Sequence, residues 1–208
     1  TNVIIYSNNL DSSWAKAGDT VFVEFIGNEE LDSIYITIGG EDSTSYYNDG
    51  GARYRGYHIM DGNDSTGALL SFNIDYRDLG GVEGPTVHTT SNNSYVKYDS
   101  VKPTLSNLSF TSSNMTSDSA AIEDTVFLLF DSSEPCRSIQ LMISEDEINT
   151  EQNNLSLHGY RVMQGIDSDG PIYFSILLED SAGNYSEEIT NIDTFPQIYF
   201  DGTLPTIV

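Results

Sequence analysis

Carboxylates are the most abundant chemically capable side chains in this sequence. The 208 residues include 32 Asp and Glu against 8 Lys and Arg, which gives a formal net charge of −24. Such a charge repels phosphate backbones and anionic lipids, so we expect neither nucleic-acid binding nor direct membrane contact. The same charge attracts cations, and a divalent metal ion is therefore the first cofactor to consider.

Five acids stand in turn-like segments that two successive β-sandwiches would bring together: Asp78, Asp99, Glu134, Asp167 and Asp169. In a seven-strand sandwich alternate loops fall at opposite ends, which would turn Asp78 and Asp99 of one domain toward the other three acids. Ca²⁺ takes about six to eight oxygen ligands, so the sequence predicts a Ca²⁺ site at the domain junction. The alternative is that these are ordinary turn residues, because Asp favours loops by bonding its own backbone.

A second candidate site is the tyrosine-rich segment SYYNDGGARYRGY, Ser45–Tyr57. Aromatic rings beside arginine could stack on a sugar and hydrogen-bond to it, or contact a protein. Tyrosine also favours exposed strand faces without binding anything, and that alternative stays open. The candidate ligand-binding residues are Tyr46, Tyr47, Tyr54, Tyr57, Arg53 and Arg55.

Catalysis has little support in the sequence. His58, His88 and His158 are isolated from one another, and no paired Cys/His spacing offers a zinc site. No motif of the G-x-S-x-G type supplies a nucleophile. The lone Cys136 has no basic cluster beside it and reads as a half-buried thiol. We therefore predict that the chain is not an enzyme.

An internal repeat organises the whole chain. GDTVFVEF, beginning at Gly18, recurs as EDTVFLLF beginning at Glu123, 105 positions later. GYHIMDGNDSTG and GYRVMQGIDSDG, which begin at Gly56 and Gly159, match at an offset of 103. DSVKPTL near the middle of the chain returns as DGTLPTI near its end. These matches predict two copies of one unit, residues 1–101 and 102–208, and the closing linker motif points to a third copy.

Apolar residues alternate with polar ones inside each copy, as in Val21, Val23 and Phe25. A period of two indicates half-buried antiparallel strands. About seven strands per copy predict an all-β chain of two tandem immunoglobulin-like β-sandwiches. One of the strands is predicted at Thr86–Thr90, and one short helix at Ser144–Glu147, where the spacing is that of a capping box.

The motifs GDTV, SEP (Ser133–Pro135) and EDSAGNYS (Glu179–Ser186), together with D-x-x-x-P-T between the copies, resemble tandem bacterial Ig-like domains. That family belongs to large secreted and cell-surface proteins of the adhesin type. The first copy departs from the pattern, with NEE for SEP and RDLGG for EDSAGN. The resemblance implies a non-catalytic extracellular spacer that carries a binding tip away from a cell, with neighbouring Ig-like repeats as its partners.

Two other functions stay open at this point. The first is a carbohydrate- or protein-binding module that uses the tyrosine-rich segment of the first copy, with a surface glycan or protein as partner. The second is an accessory domain of a secreted enzyme. All three functions place the chain outside the cell.

Overall fold

The computed structural model describes residues 2–42, 45–48, 51–190 and 197–207. The chain divides into two compact units, unit 1 (Thr1–Val101) and unit 2 (Lys102–Val208). Each unit has its own hydrophobic core, and every regular element in the described ranges is a strand. Among those residues, no helix is long and apolar enough to cross a membrane.

Within the described ranges, nine strands belong to unit 1 and eleven to unit 2. Those of unit 1 are β1 (Val3–Ser7), β2 (Trp14–Ala15), β3 (Thr20–Ile26), β4 (Leu31–Ile38), β5 (Glu41–Asp42), β6 (Ser45–Asn48), β7 (Arg53–Ile59), β8 (Phe72–Asp78) and β9 (Lys97–Tyr98). Those of unit 2 are β10 (Leu105–Ser112), β11 (Ser119–Ala120), β12 (Thr125–Ser132), β13 (Cys136–Ile143), β14 (Asp146–Glu147), β15 (Thr150–Asn153), β16 (Ser156–Val162), β17 (Gly170–Ile172), β18 (Phe174–Asp180), β19 (Ile189–Thr190) and β20 (Ile198–Phe200).

The two units share one topology. In unit 1 the sheets have the strand orders β1-β3-β7-β6 and β5-β4-β8, and β9 pairs in parallel with β2. In unit 2 they have the orders β10-β12-β16-β15 and β14-β13-β18-β19, and β20 pairs with β11 and β17. Two sheets enclosing a core in this order form an immunoglobulin-like β-sandwich, which confirms the predicted fold class.

Alternation along the strands separates the core from the surface. In β3, Val21, Val23 and Phe25 are buried, whereas Phe22 and Glu24 point to the outer side of the sheet. The strand β12 repeats this pattern with Val126, Leu128 and Phe130 inside. Because successive side chains of a strand point to opposite faces, every outward residue can be read from the register.

A glycine in the middle of a strand lets the two sheets of each unit pack closely. A Cβ on Gly56 of β7 would lie 2.6 Å from the Ile36 Cδ1 atom of the opposite sheet. A Cβ on Gly159 of β16 would lie 2.5 Å from Leu141 Cδ2. Carbon atoms cannot approach so closely, so both units need glycine at this position.

The polar loops that follow the first strand are also repeated. In unit 1 the Asn9 side-chain amide donates to Asp19 Oδ2 at 2.7 Å, and the Lys16 amide donates to the same oxygen at 2.8 Å. In unit 2 the Asn114 side-chain amide donates to Asp124 Oδ2 at 2.6 Å. The 105-residue offset therefore holds for hydrogen bonds as well as for sequence.

Two local predictions are wrong. In place of the predicted helix at Ser144–Glu147, Ser144 and Glu145 form a tight turn with φ of 51° and 69°, and Asp146–Glu147 is the strand β14. Two successive positive φ values fit a two-residue hairpin turn, and Gly39 and Gly40 occupy the same turn in unit 1. The predicted strand Thr86–Thr90 is reduced to an isolated bridge between Val87 and Ile74.

Truncation of a core residue in unit 2 should test whether each unit folds on its own core. Leu141 is fully buried, so Leu141→Ala should lower the free energy of unfolding of unit 2 by about 2–5 kcal/mol. The one tryptophan, Trp14, lies in unit 1, so its fluorescence reports on that unit in denaturant titrations while circular dichroism reports on both.

The expected result is an earlier circular-dichroism transition with an unchanged Trp14 midpoint. Leu129→Ala is the matched control, because Leu129 is 44% exposed and its loss leaves no cavity. An equal shift of both signals in Leu141→Ala would show that the two units unfold as one.

Candidate functional site

The acids predicted to face the junction from unit 1 lie at opposite ends of that unit. Asp78 closes β8 and pairs with Leu31 at the start of β4, at the end where the chain enters the unit. Its Oδ1 accepts the Val82 amide at 2.8 Å. Asp99 follows β9 at the end where the chain leaves, and its Oδ1 accepts the Thr66 hydroxyl at 3.1 Å.

The acids predicted from unit 2 are divided in the same way. Glu134 lies in the turn after β12, beside Ser133, whose backbone amide donates to the Thr104 carbonyl at the entry end. Asp169 accepts the Gly202 amide at 2.7 Å and the Thr203 hydroxyl at 2.6 Å, at the exit end. These two hydrogen bonds hold the pKa of Asp169 below its usual value.

Asp167 is held by an arginine. It accepts hydrogen bonds from Arg161 Nη1 at 2.9 Å, Arg161 Nη2 at 2.6 Å and the Gln164 amide at 2.7 Å. The hydrogen bonds from the Arg161 guanidinium are the main cause that lowers the pKa of the Asp167 carboxyl. Its negative charge is already balanced within unit 2, so a cation would have to compete with Arg161.

An additional strand explains why the predicted grouping of the five acids is wrong. The prediction let strands alternate in direction along seven strands, but β6 in unit 1 and β15 in unit 2 each add one. An extra strand reverses the direction of the strands that come next, and in unit 1 the loss of the predicted strand Thr86–Thr90 restores the direction of β9, so Asp99 stays at the exit end. Asp78 therefore moves to the entry end of unit 1, and Asp167 and Asp169 move to the exit end of unit 2.

The tyrosine-rich segment is also divided. Tyr54 is 2% exposed, stacks on Phe25 at 5.4 Å between ring centroids, and accepts the Leu31 amide through its hydroxyl. It belongs to the core, and its prediction as a ligand contact is wrong. The side chains of Tyr46 and Tyr47 lie outside the described part of the structure, although their backbones pair with Gly56 and Arg55.

Tyr57 belongs to a row of half-buried rings on the outer side of the sheet β1-β3-β7-β6. The Tyr6 ring stacks on Phe22 with centroids 5.2 Å apart and an interplanar angle of 23°. Phe22 contacts Tyr57 at 6.4 Å between centroids. Burial raises the pKa of the Tyr6 phenol, so this ring is neutral throughout the physiological range.

Charged side chains extend the row of rings. Arg55 lies with its guanidinium carbon 5.7 Å from the Phe22 ring centroid and donates to Glu24 Oε2 at 2.8 Å. Arg53 donates to Glu24 Oε1 at 3.0 Å. Glu24 thus bridges the two predicted arginines beside the rings. We call this surface the aromatic–arginine face; its members are Tyr6, Phe22, Glu24, Arg53, Arg55 and Tyr57.

In unit 2 different residues occupy most of the positions equivalent to this face. The register puts Thr111 in place of Tyr6, Leu129 in place of Glu24 and His158 in place of Arg55. Phe127 and Tyr160 remain, with ring centroids 6.3 Å apart. Stacked rings together with paired arginines are therefore a feature of unit 1.

Sequence reasoning missed Tyr6, Phe22 and Glu24, because they come from strands distant in sequence from the tyrosine-rich segment. A signal was present in β3, where alternation places Phe22 and Glu24 on the outer face. A large aromatic residue at an outward position is a reason to search the neighbouring strands for partners.

Cys136 is half-buried, as the sequence predicts. Burial raises the pKa of its thiol, and the Ser132 hydroxyl lies 3.3 Å from its sulfur. A raised thiol pKa keeps the less reactive protonated form at neutral pH.

Comparisons with known proteins do not assign the chain to a family. No protein-family model matches the chain, and no curated protein matches it. Solved structures with similar architecture include the fibronectin(III)-like modules of Clostridium thermocellum CbhA, at 10% identity, covering 90% of this chain and 91% of that one, with a TM-score of 0.41. Rst D1-D2 matches at 12% identity over 98% of this chain and 100% of that one, with a TM-score of 0.39.

A Bacteroides ovatus protein of a mixed-linkage glucan utilization locus, SGBP-B, solved with a mixed-linkage heptasaccharide, matches at 17% identity. That match covers 95% of this chain and 45% of the other, with a TM-score of 0.26. At such identities and TM-scores these comparisons carry no functional argument.

The Arg161–Asp167 pair makes a pH-dependent prediction. The folded-state pKa of Asp167 is lowered, so its stabilising contribution is present above the unfolded pKa, about 3.9, and disappears as the pH falls through the folded value. Asp167→Asn should therefore lower the free energy of unfolding at pH 7 by about 1–3 kcal/mol. Denaturant titrations at pH 7 and at pH 3 should show a smaller difference at the lower pH.

Asp146→Asn is the matched control, since Asp146 pairs with the same guanidinium but has a side chain 63% exposed. Asp146→Asn should lower the free energy of unfolding at pH 7 by less than Asp167→Asn does. An equal decrease in the two variants, independent of pH, would contradict this role for Asp167.

Proposed function

We propose that this chain is a non-catalytic spacer of an extracellular tandem array, which projects a binding tip from a cell surface. The observation that carries the proposal lies within each unit. The chain enters unit 1 at the end that holds Asp78 and leaves at the end that holds Asp99. Unit 2 likewise receives the chain beside Ser133 and releases it beside Asp169. Units of this kind extend a chain when they are joined in series.

The charge and the repeated design support the same proposal. A net charge of −24 opposes adsorption to nucleic acid and anionic membranes, which suits a surface element that must stay solvated. The two units repeat the same core and the same polar loop, as expected of units that serve one mechanical role. The resemblance of the motifs to adhesin-type repeats is the reason why we propose an extracellular location. The absence of catalytic activity stays a prediction.

A second candidate function is supported by the aromatic–arginine face. Ring surfaces beside guanidinium groups bind sugars and protein side chains by stacking and hydrogen bonding. Glu24 fixes both arginines, so the face would meet a ligand without first ordering them. This function would belong to unit 1, because unit 2 lacks the paired arginines.

Replacing unit 1 by a second copy of unit 2 in the parent protein separates the two functions. A spacer needs length alone, so attachment of the source cells should be unchanged by this replacement and reduced when unit 1 is deleted outright. The measurement is the number of cells retained under flow. A surface stain with an antibody to unit 2 should label intact cells in all strains.

Loss of attachment in the replacement strain would contradict the spacer and favour the ligand-binding function. In that case Tyr57→Ala should lose attachment as well, while Tyr160→Ala, the matched change in unit 2, should not. Antibody labelling restricted to lysed cells would contradict the extracellular location.

We also propose that Ca²⁺ stiffens the array, with fewer ligands than the five acids that the sequence predicts. Asp99 lies at the exit end of unit 1 and Glu134 at the entry end of unit 2, so these two of the five predicted ligands remain. Hard carboxylate oxygens suit Ca²⁺, and an ion bound to acids of successive units would hold those units together.

If this proposal holds, millimolar Ca²⁺ should raise the midpoint of thermal unfolding more than Mg²⁺ at equal ionic strength. Asp99→Ala should abolish the difference between the two ions. Asp201→Ala is the matched control, since Asp201 accepts the Thr203 amide at 3.0 Å just as Asp99 accepts the Val101 amide at 3.0 Å. Equal effects of the two ions on the unaltered chain would mean screening of the net charge alone.

A further inference from the structure

The outer side of the sheet β5-β4-β8 in unit 1 carries an exposed aromatic ring among polar side chains. Tyr35 of β4 is 52% exposed, and its hydroxyl donates a hydrogen bond to Asp42 of β5. The register places Asp75 of β8 directly beside Tyr35, and Arg77 beside Ser33. The hydrogen bond to Asp42 restrains the ring, so an aromatic surface is held in place between polar neighbours.

A hollow with a volume of about 420 Å³ lies beside this ring. Tyr76 and Gly84 form part of its wall. A Cβ on Gly84 would lie 2.2 Å from the Tyr76 ring, so the glycine allows this second ring to border the hollow. We call Tyr35 and the polar residues of the wall the Tyr35 face; the polar members are Ser33, Asp75, Arg77, Glu83 and Thr86.

The polar groups of the Tyr35 face include both hydrogen-bond acceptors and donors. The Thr86 hydroxyl donates to Asp75 Oδ1, and the second oxygen of that carboxylate accepts no hydrogen bond from the described residues. Arg77 donates through Nε to Asp32 Oδ2 at 3.1 Å and through Nη2 to the same oxygen at 2.5 Å. Its Nη1 has no acceptor in the described part of the chain. A ligand in the hollow would therefore meet an acceptor and a donor that are restrained but not saturated.

The charges in and beside the Tyr35 face restrict what it can bind. The carboxylates of Asp32, Asp42, Asp75 and Glu83 outnumber the guanidinium of Arg77. This excess of negative charge repels an anionic ligand. An ammonium group could donate to the carboxylates, but it has no lone pair to accept a hydrogen bond from Arg77. Two neighbouring hydroxyl groups carry no charge and can both donate and accept.

Packing between the sheets does not require the residues of the Tyr35 face. Unit 2 pairs Gln140 with Leu177 where unit 1 pairs Tyr35 with Asp75. Unit 2 nevertheless forms the same sandwich. The ring and the carboxylate beside it are therefore a feature of unit 1 that the fold leaves free to vary.

We propose that the Tyr35 face of unit 1 binds a neutral carbohydrate built of pyranose rings. The C–H side of one sugar ring would stack on Tyr35. Neighbouring hydroxyls of that sugar would donate to Asp75 and accept from Arg77. Thr86 and Asp32 already restrain these two side chains, which reduces the entropy lost on binding.

The Tyr35 face goes beyond the functions proposed above and is independent of them. It lies on the sheet β5-β4-β8, whereas the aromatic–arginine face lies on the sheet β1-β3-β7-β6. A spacer could carry a sugar site or lack one. Binding by the purified chain can therefore fail without affecting the outcome of the replacement experiment in the parent protein.

Calorimetric titrations of the 208-residue chain with neutral hexasaccharides test the proposal. The probes are cellohexaose, maltohexaose, mannohexaose and galactohexaose, and at least one of them should bind saturably in the millimolar range or below. Hexagalacturonate has the same length but a carboxylate on every ring, so it should not bind. A hexalysine peptide serves as the cationic probe and should not compete with the sugar.

Variants of the chain then locate the site. Tyr35→Ala should weaken binding of that sugar about tenfold or more, because the stacking surface is lost, while Tyr35→Phe should keep most of it. Tyr199→Ala is the matched control, since Tyr199 lies on a strand of unit 2 and is 54% exposed. The Trp14 unfolding midpoint should be the same in Tyr35→Ala as in the unaltered chain, which separates lost binding from lost folding.

Four results would overturn the proposal. They are no binding of any neutral probe, equal binding of hexagalacturonate, binding of hexalysine alone, and binding that survives Tyr35→Ala. Tyr57→Ala, which alters the aromatic–arginine face, should leave sugar binding unchanged. Binding lost in Tyr57→Ala and kept in Tyr35→Ala would assign the sugar to the aromatic–arginine face instead.

Discussion

The contact between two sheets across a single glycine is the constraint on which each unit depends. The Ile36 side chain packs so closely against Gly56 that a Cβ there would clash with it, and Leu141 packs against Gly159 in the same way. This approach brings the inner faces into contact, so apolar residues at alternate strand positions become buried together. The alternation along each strand then determines which residues point outward. The aromatic–arginine face is thus a consequence of the same register that builds the core.

Strand number, rather than side-chain chemistry, decides which loops share an end of a unit. The sequence shows the acids and their turns plainly, but the ends at which they lie depend on the count of strands before them. Strand β15 has the sequence TEQN, with little of the alternation that marks a strand. A strand that the hydrophobic pattern does not reveal thus moved Asp167 and Asp169 to the end opposite Glu134.

The core and the repeat could be read from the sequence because burial leaves a periodic trace. Val21, Val23 and Phe25 recur as Val126, Leu128 and Phe130, and all six are buried. The helix predicted at Ser144–Glu147 failed for the opposite reason, since four residues carry little periodicity and hairpin geometry prevailed over capping residues. Tyr54 was misplaced because tyrosine suits both a core and a surface. The register of β7, invisible in composition, decided between them.

Comparison of the two units within one chain shows where their roles can differ. Inner positions match in character, so both sequences satisfy the same packing between sheets. Outer positions diverge, with Glu24 against Leu129 and Arg55 against His158. Packing does not demand the arginines of unit 1, because unit 2 folds into the same sandwich without them. The outer face of unit 1 and the ends of both units are therefore where sequence is free to encode binding, and the core accounts for the rest.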